Sequence, residues 1–187
     1  MKRKTCLLLA ATLLAASAAI AKPRNVTDPD APRSLPDEGP VAVQWTDPAE
    51  FTELKFSGNR WEAQRGNWVY DLAMHLRKEA EKRLPPGERL EVTITDIDRA
   101  GSYEPGRGVQ LDHVRIMRDV YPPKIKLAFR RYGADGQLVD EGERTLRDLM
   151  YLHNIQATLN NDGLVYEKRL IDDWLRHELG SGRVAGN

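Results

Sequence analysis

The sequence predicts an α+β fold: a mostly antiparallel sheet of about four strands, with a long N-terminal helix and a C-terminal helix packed on one face. Three observations lead to this fold class. Several short runs alternate apolar and polar residues, which is the period of a half-buried strand. Two longer runs repeat apolar residues at helical spacing, one before and one after most of the strands. An Asp-Gly pair between two alternating runs indicates a hairpin.

The first strand and the long helix come early in the folded part of the chain. Residues Val41 to Trp45 alternate in the manner of a strand, and a helical pattern then extends from about Arg60 to Arg83. The apolar stripe of that helix comprises Trp61, Trp68, Leu72, Leu76 and Ala80. Gly66 weakens its middle slightly. Pro85-Pro86-Gly87 ends it, because proline donates no amide hydrogen and clashes with the preceding turn.

A second strand follows over residues 90–95, where Leu90, Val92 and Ile94 share one face. It continues into Asp96-Ile97-Asp98 and then into a glycine-rich loop. A short strand is predicted between Val114 and Val120.

The last third of the chain contains a hairpin and the C-terminal helix. Residues 124–130 alternate clearly, Asp135-Gly136 supplies the turn, and the return strand covers residues 137–146. Residues 149–161 fit neither pattern. A helix is predicted over residues 164–179 with Asp162 as its cap, since a carboxylate can accept the free amides of a first turn.

The first 21 residues have the three parts of a cleavable secretory signal. Lys2, Arg3 and Lys4 are basic, residues 6–20 are apolar, and Ala19-Ile20-Ala21 provides the small residues of a cleavage site near Ala21/Lys22. The alternative is a membrane anchor, but an apolar run this short falls below the roughly 20 residues that span a bilayer. We therefore expect an exported protein, periplasmic in a Gram-negative cell.

Processing would change both the chemistry and the charge of the chain. It removes Cys6, the single cysteine, so the mature chain would have neither a disulfide nor a thiolate nucleophile. It also leaves 25 basic against 28 acidic residues, a net charge near −3. That balance gives no reason to expect nucleic acid as a partner, and no later segment is apolar enough to span a membrane. The expected partner is an envelope protein or a small ligand of unknown identity.

The predicted organisation has four parts. Residues 1–21 form the signal peptide, and residues 22–40 form a proline-rich, disordered leader. Residues 41–180 form one α+β domain, and residues 181–187 form a flexible tail.

Six short segments, in order, resemble a family of exported bacterial proteins called the domain of unknown function 3016. They are Val43-Gln44-Trp45-Thr46-Asp47-Pro48, Leu90 to Asp98, Asp119-Val120-Tyr121-Pro122-Pro123, Asp135-Gly136, Glu141-Gly142-Glu143, and Tyr166-Glu167-Lys168-Arg169 with Asp172-Asp173-Trp174. The resemblance covers about residues 41–176. It implies the compartment and a single domain, but it implies no activity.

Asp96 and Asp98 are the foremost candidates for a site. On an extended strand they would share the core-facing register of Ile94, where a carboxylate is costly unless it is paired, hydrogen-bonded or metal-bound. One interpretation is a site for a hard divalent cation, with loop carbonyls as further ligands. The other is that both aspartates cap the following turn or pair with arginines.

Lys124, Lys126 and Arg130 lie on one face of the next strand, where they could dock an acidic ligand or form a solvated outer surface. No nucleophile motif and no metal-ligand histidine spacing occurs, so no catalytic residue is predicted. The leading hypothesis is a noncatalytic binding or interaction module of the cell envelope, without a cofactor. The alternative is a small metal-assisted hydrolase centred on Asp96 and Asp98 with His113.

Overall fold

A computed structural model describes residues 25–106, 108, 110–153 and 162–180. The predicted signal peptide and C-terminal tail lie outside the described residues. The strands are β1 (Val41–Trp45), β2 (Arg89–Asp98), β3 (Ser102–Tyr103), β4 (Arg115–Ile116), β5 (Lys124–Tyr132) and β6 (Leu138–Arg147). The helices are α1 (Thr52–Phe56), α2 (Arg60–Gln64), α3 (Trp68–Glu81) and α4 (Val165–Gly180), with short 3-10 turns at Pro48–Glu50 and Tyr151–His153.

The main sheet has four strands in the order β1-β2-β5-β6, which confirms the α+β class and the strand number. It is a mixed sheet, so the prediction of a mostly antiparallel one is wrong in this respect. β1 pairs with β2 in parallel, whereas β2, β5 and β6 pair antiparallel. The helices between β1 and β2 return the chain to the end from which β1 started, and such a crossover yields a parallel pair. β3 and β4 form a separate two-stranded ribbon.

The long N-terminal helix predicted over residues 60–83 is absent, because the segment divides into α2 and α3. Gly66 lies between them with φ of +86°, a left-handed conformation that cannot continue a right-handed helix. As a consequence Trp61, predicted in the apolar stripe, is 61% exposed, whereas Trp68 is buried.

Helices α3 and α4 pack on one face of the sheet, which confirms the predicted layering. The core between the layers contains Val41, Val43, Leu72, Leu76, Leu90, Val92, Ile94, Ile125, Leu127, Ile171 and Leu175.

The C-terminal helix lies within one residue of its predicted bounds. Asp162 accepts a hydrogen bond at 3.0 Å from the amide of Leu164, the residue just before the helix. The Asp135-Gly136 hairpin is also confirmed, with Gly133 donating to the Gln137 carbonyl across the loop at 2.8 Å.

The described part of the predicted leader, residues 25–40, packs against the domain, which differs from the disorder expected for it. Val26 and Leu35 are 4% and 5% exposed and belong to the core. The amide of Leu35 donates to the carbonyl of Val43 at 2.9 Å, so this segment covers the outer edge of β1. Val26 donates to the Gln64 carbonyl, which the end of α2 leaves without a helical partner. Tertiary contacts therefore compensate for the low apolar content of the segment.

Candidate functional site: a cleft at the end of the sheet

A β-bulge in β2 sets the orientation of the two candidate aspartates. Ile94 pairs with Leu127 and Asp96 pairs with Lys126. The pairs are two residues apart on β2 but only one residue apart on β5, so Thr95 is the extra residue of the bulge. A bulge of this kind reverses the alternation of side chains beyond it. The prediction that both aspartates continue the core-facing register is therefore wrong. Ile97 takes the core position, where it is fully buried, and Asp96 and Asp98 lie on the opposite face.

Asp96 nevertheless lies buried, because α1 covers this part of the sheet. Its carboxylate accepts hydrogen bonds from the amide and the hydroxyl of Thr52, at 2.7 and 2.8 Å. Lys124 and Lys126 lie 3.7 and 3.8 Å from its Oδ2. Asp96 therefore caps the first turn of α1 and pairs with two lysines. The interpretation from the sequence was instead that both aspartates cap the following turn or pair with arginines.

Asp98 lies one row closer to the end of the sheet, opposite Lys124, whose Nζ is 3.6 Å from its Oδ2. Burial raises the pKa of the Asp98 carboxyl, and the positive charge of Lys124 acts in the opposite direction. The structure thus brings together four of the five predicted binding residues: Asp96, Asp98, Lys124 and Lys126.

Arg130, the fifth, lies elsewhere on the outer face of the sheet. It is six residues along β5 from Lys124, about 20 Å at the rise of an extended strand. Its Nε is 3.4 Å from Glu141, and it lies opposite Glu91 in the register. An open depression of 1070 Å³ spans this face, but the charges around Arg130 neutralise one another. This surface therefore resembles a solvated sheet face more than a site.

A smaller cleft of 350 Å³ lies at the end of the sheet, where α1, the β2–β3 connection and the segment before β5 meet. Asp98 and Lys124 line it, so the predicted residues reach its edge. Its other lining residues include Glu53, Phe56, Arg99, Tyr103, Arg115, Val120, Tyr121, Pro122 and Arg147. We call this space the end cleft. Its volume is at the low end of the range for small-molecule sites, about 300–1,000 Å³.

The wall of the end cleft contains a buried ion pair between Glu53 and Arg115. Glu53 is 5% exposed, and both of its carboxylate oxygens accept hydrogen bonds from the Arg115 guanidinium. Arg115 also donates to the carbonyls of Ala100 and Gly101, at 3.2 and 2.9 Å, and stacks 4.7 Å from the centre of the Tyr103 ring. Such multiple satisfaction is what a buried ion pair requires to be stable.

A second buried carboxylate, that of Glu167 in the first turn of α4, binds the main chain next to this ion pair. It is 1% exposed, and its Oε1 accepts a hydrogen bond from the Ala100 amide at 2.7 Å. The neighbouring amide of Arg99 donates to Glu53 at 3.0 Å. Burial raises the pKa of Glu167, while the charge of Arg99 lowers it. Two carboxylates thus fix the main chain that follows β2.

Sequence reasoning missed both Glu53 and Glu167. Glu53 lies between the predicted first strand and the predicted long helix, where no element was assigned. Glu167 is a glutamate within the predicted C-terminal helix, where charged residues are ordinary. The Tyr166-Glu167-Lys168-Arg169 motif marked the right segment, but no local pattern identifies the partner of either carboxylate. Arg115 is 62 residues from Glu53 in the chain.

The mouth of the end cleft exposes apolar side chains and one cation. Phe56 and Val120 are 79% and 73% exposed. The side chain of Arg147, at the end of β6, is exposed and forms no hydrogen bond or ion pair with any side chain that the structure describes. Large exposed apolar groups at a concavity are typical of a contact surface.

Metal ligands are sparse in the described ranges. They contain no group of three or more His, Asp or Glu side chains close enough to hold a metal ion. His113 is exposed on the loop before β4, and His75 instead pairs with Asp172 between α3 and α4 at 2.8 Å. Within the same described ranges, no helix has the length and apolar character needed to cross a bilayer.

The fold and the cleft define a small α+β domain with a mixed four-stranded sheet. The family model for the protein of unknown function DUF3016 matches residues 39–177, so the chain belongs to this family. The match confirms the resemblance found in the sequence. No curated protein and no solved structure matches the chain significantly.

Proposed function

We propose that this protein is a noncatalytic binding module of the cell envelope and that the end cleft is its ligand site. The observation that carries the proposal is the exposure of Phe56 and Val120 at the mouth of a cleft that also has charged walls. Exposure of large apolar groups has a free-energy cost in water that ligand binding would remove. Specific sites commonly combine such groups with a few fixed polar ones.

The state of the carboxylates supports binding over catalysis. A general base or nucleophile must be free to reach its substrate. Glu53 is instead held by Arg115 and by the Arg99 amide, and Asp98 lies beside Lys124. These groups are suited to fixing the shape of the cleft.

The hydrolase alternative receives less support from the same geometry. A catalytic metal would need both aspartates and at least one further ligand. Asp96 has already accepted two hydrogen bonds from Thr52, and no third side-chain ligand lies near among the described residues. The proposal therefore assigns no metal and no cofactor to the site.

Export to the periplasm is part of the proposal and is supported by the basic, apolar and small-residue parts of the first 21 residues. Sequencing the N-terminus of protein recovered from a periplasmic fraction tests it. The expected first residue is Lys22. Recovery of an intact Met1 chain from the cytoplasm would contradict export without affecting the cleft.

The binding function is tested by a thermal-shift screen of the full chain against organic anions, organic cations, sugars and short peptides. A ligand that binds the folded state raises the melting temperature. The shift should disappear in a Phe56→Ser, Val120→Ser double variant and persist in a Leu138→Ser, Val139→Ser control, whose residues are also exposed but lie at the hairpin end of β6. The ligand should be recovered unchanged by mass spectrometry.

Two results would overturn this proposal. One is a screen in which every compound either fails to shift the melting temperature of the wild type or shifts that of the double variant equally. The other is recovery of a chemically converted compound, which would indicate catalysis.

A further inference from the structure

We infer that the ligand of the end cleft is a small organic anion, in which a carboxylate or phosphate group is joined to an apolar body. This inference rests on the proposed function and adds the chemical class of the ligand. It depends on the charge of the lining, on the pairing of β5 with β6, and on the apolar rim.

The lining of the cleft has an excess of positive charge. Four cationic side chains line it, against the two carboxylates of Glu53 and Asp98. The cations are Arg99, Arg115, Lys124 and Arg147. The whole chain has a formal net charge of zero, so the excess is a local property of the cleft. A site of this composition attracts anions.

Lys124 and Arg147 are the two cations placed to contact a ligand. They lie directly opposite each other in the β5–β6 register, where like charges destabilise a sheet. Arg115, by contrast, is occupied by Glu53 and two main-chain carbonyls. Arg99 donates to the Gly163 carbonyl at 3.3 Å, and its Nε, which has no hydrogen-bond partner among the described residues, is buried. Lys124 already lies near Asp96 and Asp98, so an anion bound between Lys124 and Arg147 would chiefly supply a counter-charge for Arg147.

Both of these cations retain hydrogen-bonding capacity. The nitrogen of Lys124 lies 3.6 and 3.7 Å from its two carboxylate partners, beyond ordinary hydrogen-bond length, so its donors are only weakly used. Arg147 offers a planar fork that fits a carboxylate or phosphate through two parallel bonds.

The apolar rim specifies the rest of the ligand. Phe56 and Val120 lie at the mouth, and Tyr121 and Pro122 continue the same lining. These side chains add to the binding free energy only if the ligand has an apolar part that buries them. A bare inorganic anion would leave the rim exposed, and a neutral apolar compound would leave Arg147 without a partner. The cleft therefore fits a molecule that has both properties.

Isothermal titration calorimetry on the full chain tests the ligand class with four probes. Phenylbutyrate and phenyl phosphate carry both an anion and an apolar body. Phenylbutanamide lacks the charge, and acetate lacks the apolar body. The first two should bind, whereas each of the others should bind about tenfold more weakly or worse, which corresponds to about 1.4 kcal/mol. A preference between the first two distinguishes a carboxylate from a phosphate ligand.

Variants locate the effect at the cleft. Arg147→Gln should weaken phenylbutyrate about tenfold and leave phenylbutanamide unchanged, because it removes a charge contact only. Val120→Ser should weaken both compounds. Arg176→Gln is the matched control, since Arg176 is an exposed arginine on α4 outside the cleft lining, and it should change neither affinity.

Equal affinity for the acid and the amide, or an Arg147→Gln variant that binds phenylbutyrate as the wild type does, would overturn the anion assignment. If Val120→Ser weakened the binding of both compounds in that case, the cleft would remain a binding site and the proposed function would stand. Binding of all probes that is insensitive to both variants would overturn the inference together with the site.

Discussion

The carboxylate of Asp96 accepts two hydrogen bonds from Thr52, one from the amide at 2.7 Å and one from the hydroxyl at 2.8 Å. This contact joins β2 to the first turn of α1, across 44 residues of sequence. It also places α1, and with it Phe56 and Glu53, at the edge of the end cleft. Asp96, a candidate metal ligand from the sequence, thus has a structural contact with α1.

Replacing Asp96 with Ala should destabilise the protein by about 1–3 kcal/mol, because it removes the cap and leaves the Thr52 amide unsatisfied in a partly buried place. Asp96→Asn keeps one acceptor oxygen and should lose less. Asp98→Ala is the matched control, since its side chain is 38% exposed and it should change stability by no more than about 0.5 kcal/mol. Urea denaturation measures all three. A larger loss for Asp98→Ala than for Asp96→Ala would contradict the assignment of the cap.

Divalent metal should not stabilise the fold. Adding Ca²⁺, Mg²⁺ or Zn²⁺ in large excess should leave the melting temperature unchanged, because Asp96 is occupied by Thr52 and the described residues supply no third side-chain ligand. Differential scanning calorimetry with and without a chelator makes the measurement. A metal-dependent rise that Asp98→Ala abolishes would restore the hydrolase alternative.

Breaking the Glu53–Arg115 pair should strongly lower the free energy of unfolding. Glu53→Ala leaves a guanidinium that is 15% exposed without its carboxylate, and the expected loss is about 3–5 kcal/mol. A Glu53→Leu, Arg115→Met double variant should recover part of this loss, since it removes both charges. Equilibrium unfolding of the single and double variants gives the coupling energy. A coupling energy near zero would show that the pair is solvent-screened.

Glu167 should contribute more to the free energy of unfolding at low pH than at high pH. Because burial raises the pKa of Glu167 in the folded state, the folded protein binds a proton more tightly than the unfolded chain does. Its contribution is most favourable below the unfolded pKa of about 4.3 and is lost as pH rises through the folded pKa. Glu167→Gln should flatten this part of the profile of unfolding free energy against pH.

Glu79 is a control of opposite sign for that profile. Hydrogen bonds from Lys82 and Arg83 lower its pKa to about 2. Its contribution to the free energy of unfolding is therefore present above the unfolded pKa and is lost as pH falls toward 2. Glu79→Gln should alter the profile of unfolding free energy only in this acid range. If Glu167→Gln left the slope between the unfolded and folded pKa unchanged, the buried carboxylate would not be the titrating group.

The packing of residues 25–40 predicts that Leu35→Ala destabilises the domain by about 2 kcal/mol or more, as expected for truncation of a buried leucine. Asp37→Ala, at an exposed position of the same segment, should have little effect. Chemical denaturation compares the two. Equal stability of both variants would support the disordered leader that the sequence predicted.

Local patterns were sufficient for several elements. Alternation over residues 41–45 and 124–130 predicted β1 and β5, Asp135-Gly136 predicted the hairpin, and helical spacing predicted α4, because each depends on neighbours in the chain. The same patterns failed where a single residue interrupts them. Gly66 divides a helix whose apolar spacing continues across it, and Thr95 shifts a strand whose composition gives no sign of a bulge.

The α+β class, the four main strands, the family and the expectation of export could all be inferred from the sequence, since these depend on composition, periodicity and short motifs. Three features required the three-dimensional structure: β1 runs parallel to β2, Asp96 caps α1, and Glu53 contacts Arg115 in a cleft that exposes Phe56. The difference lies in the sequence separation of the interacting residues. Secondary structure follows from interactions within a few residues, whereas the end cleft is assembled from groups tens of residues apart, whose partners no local pattern specifies.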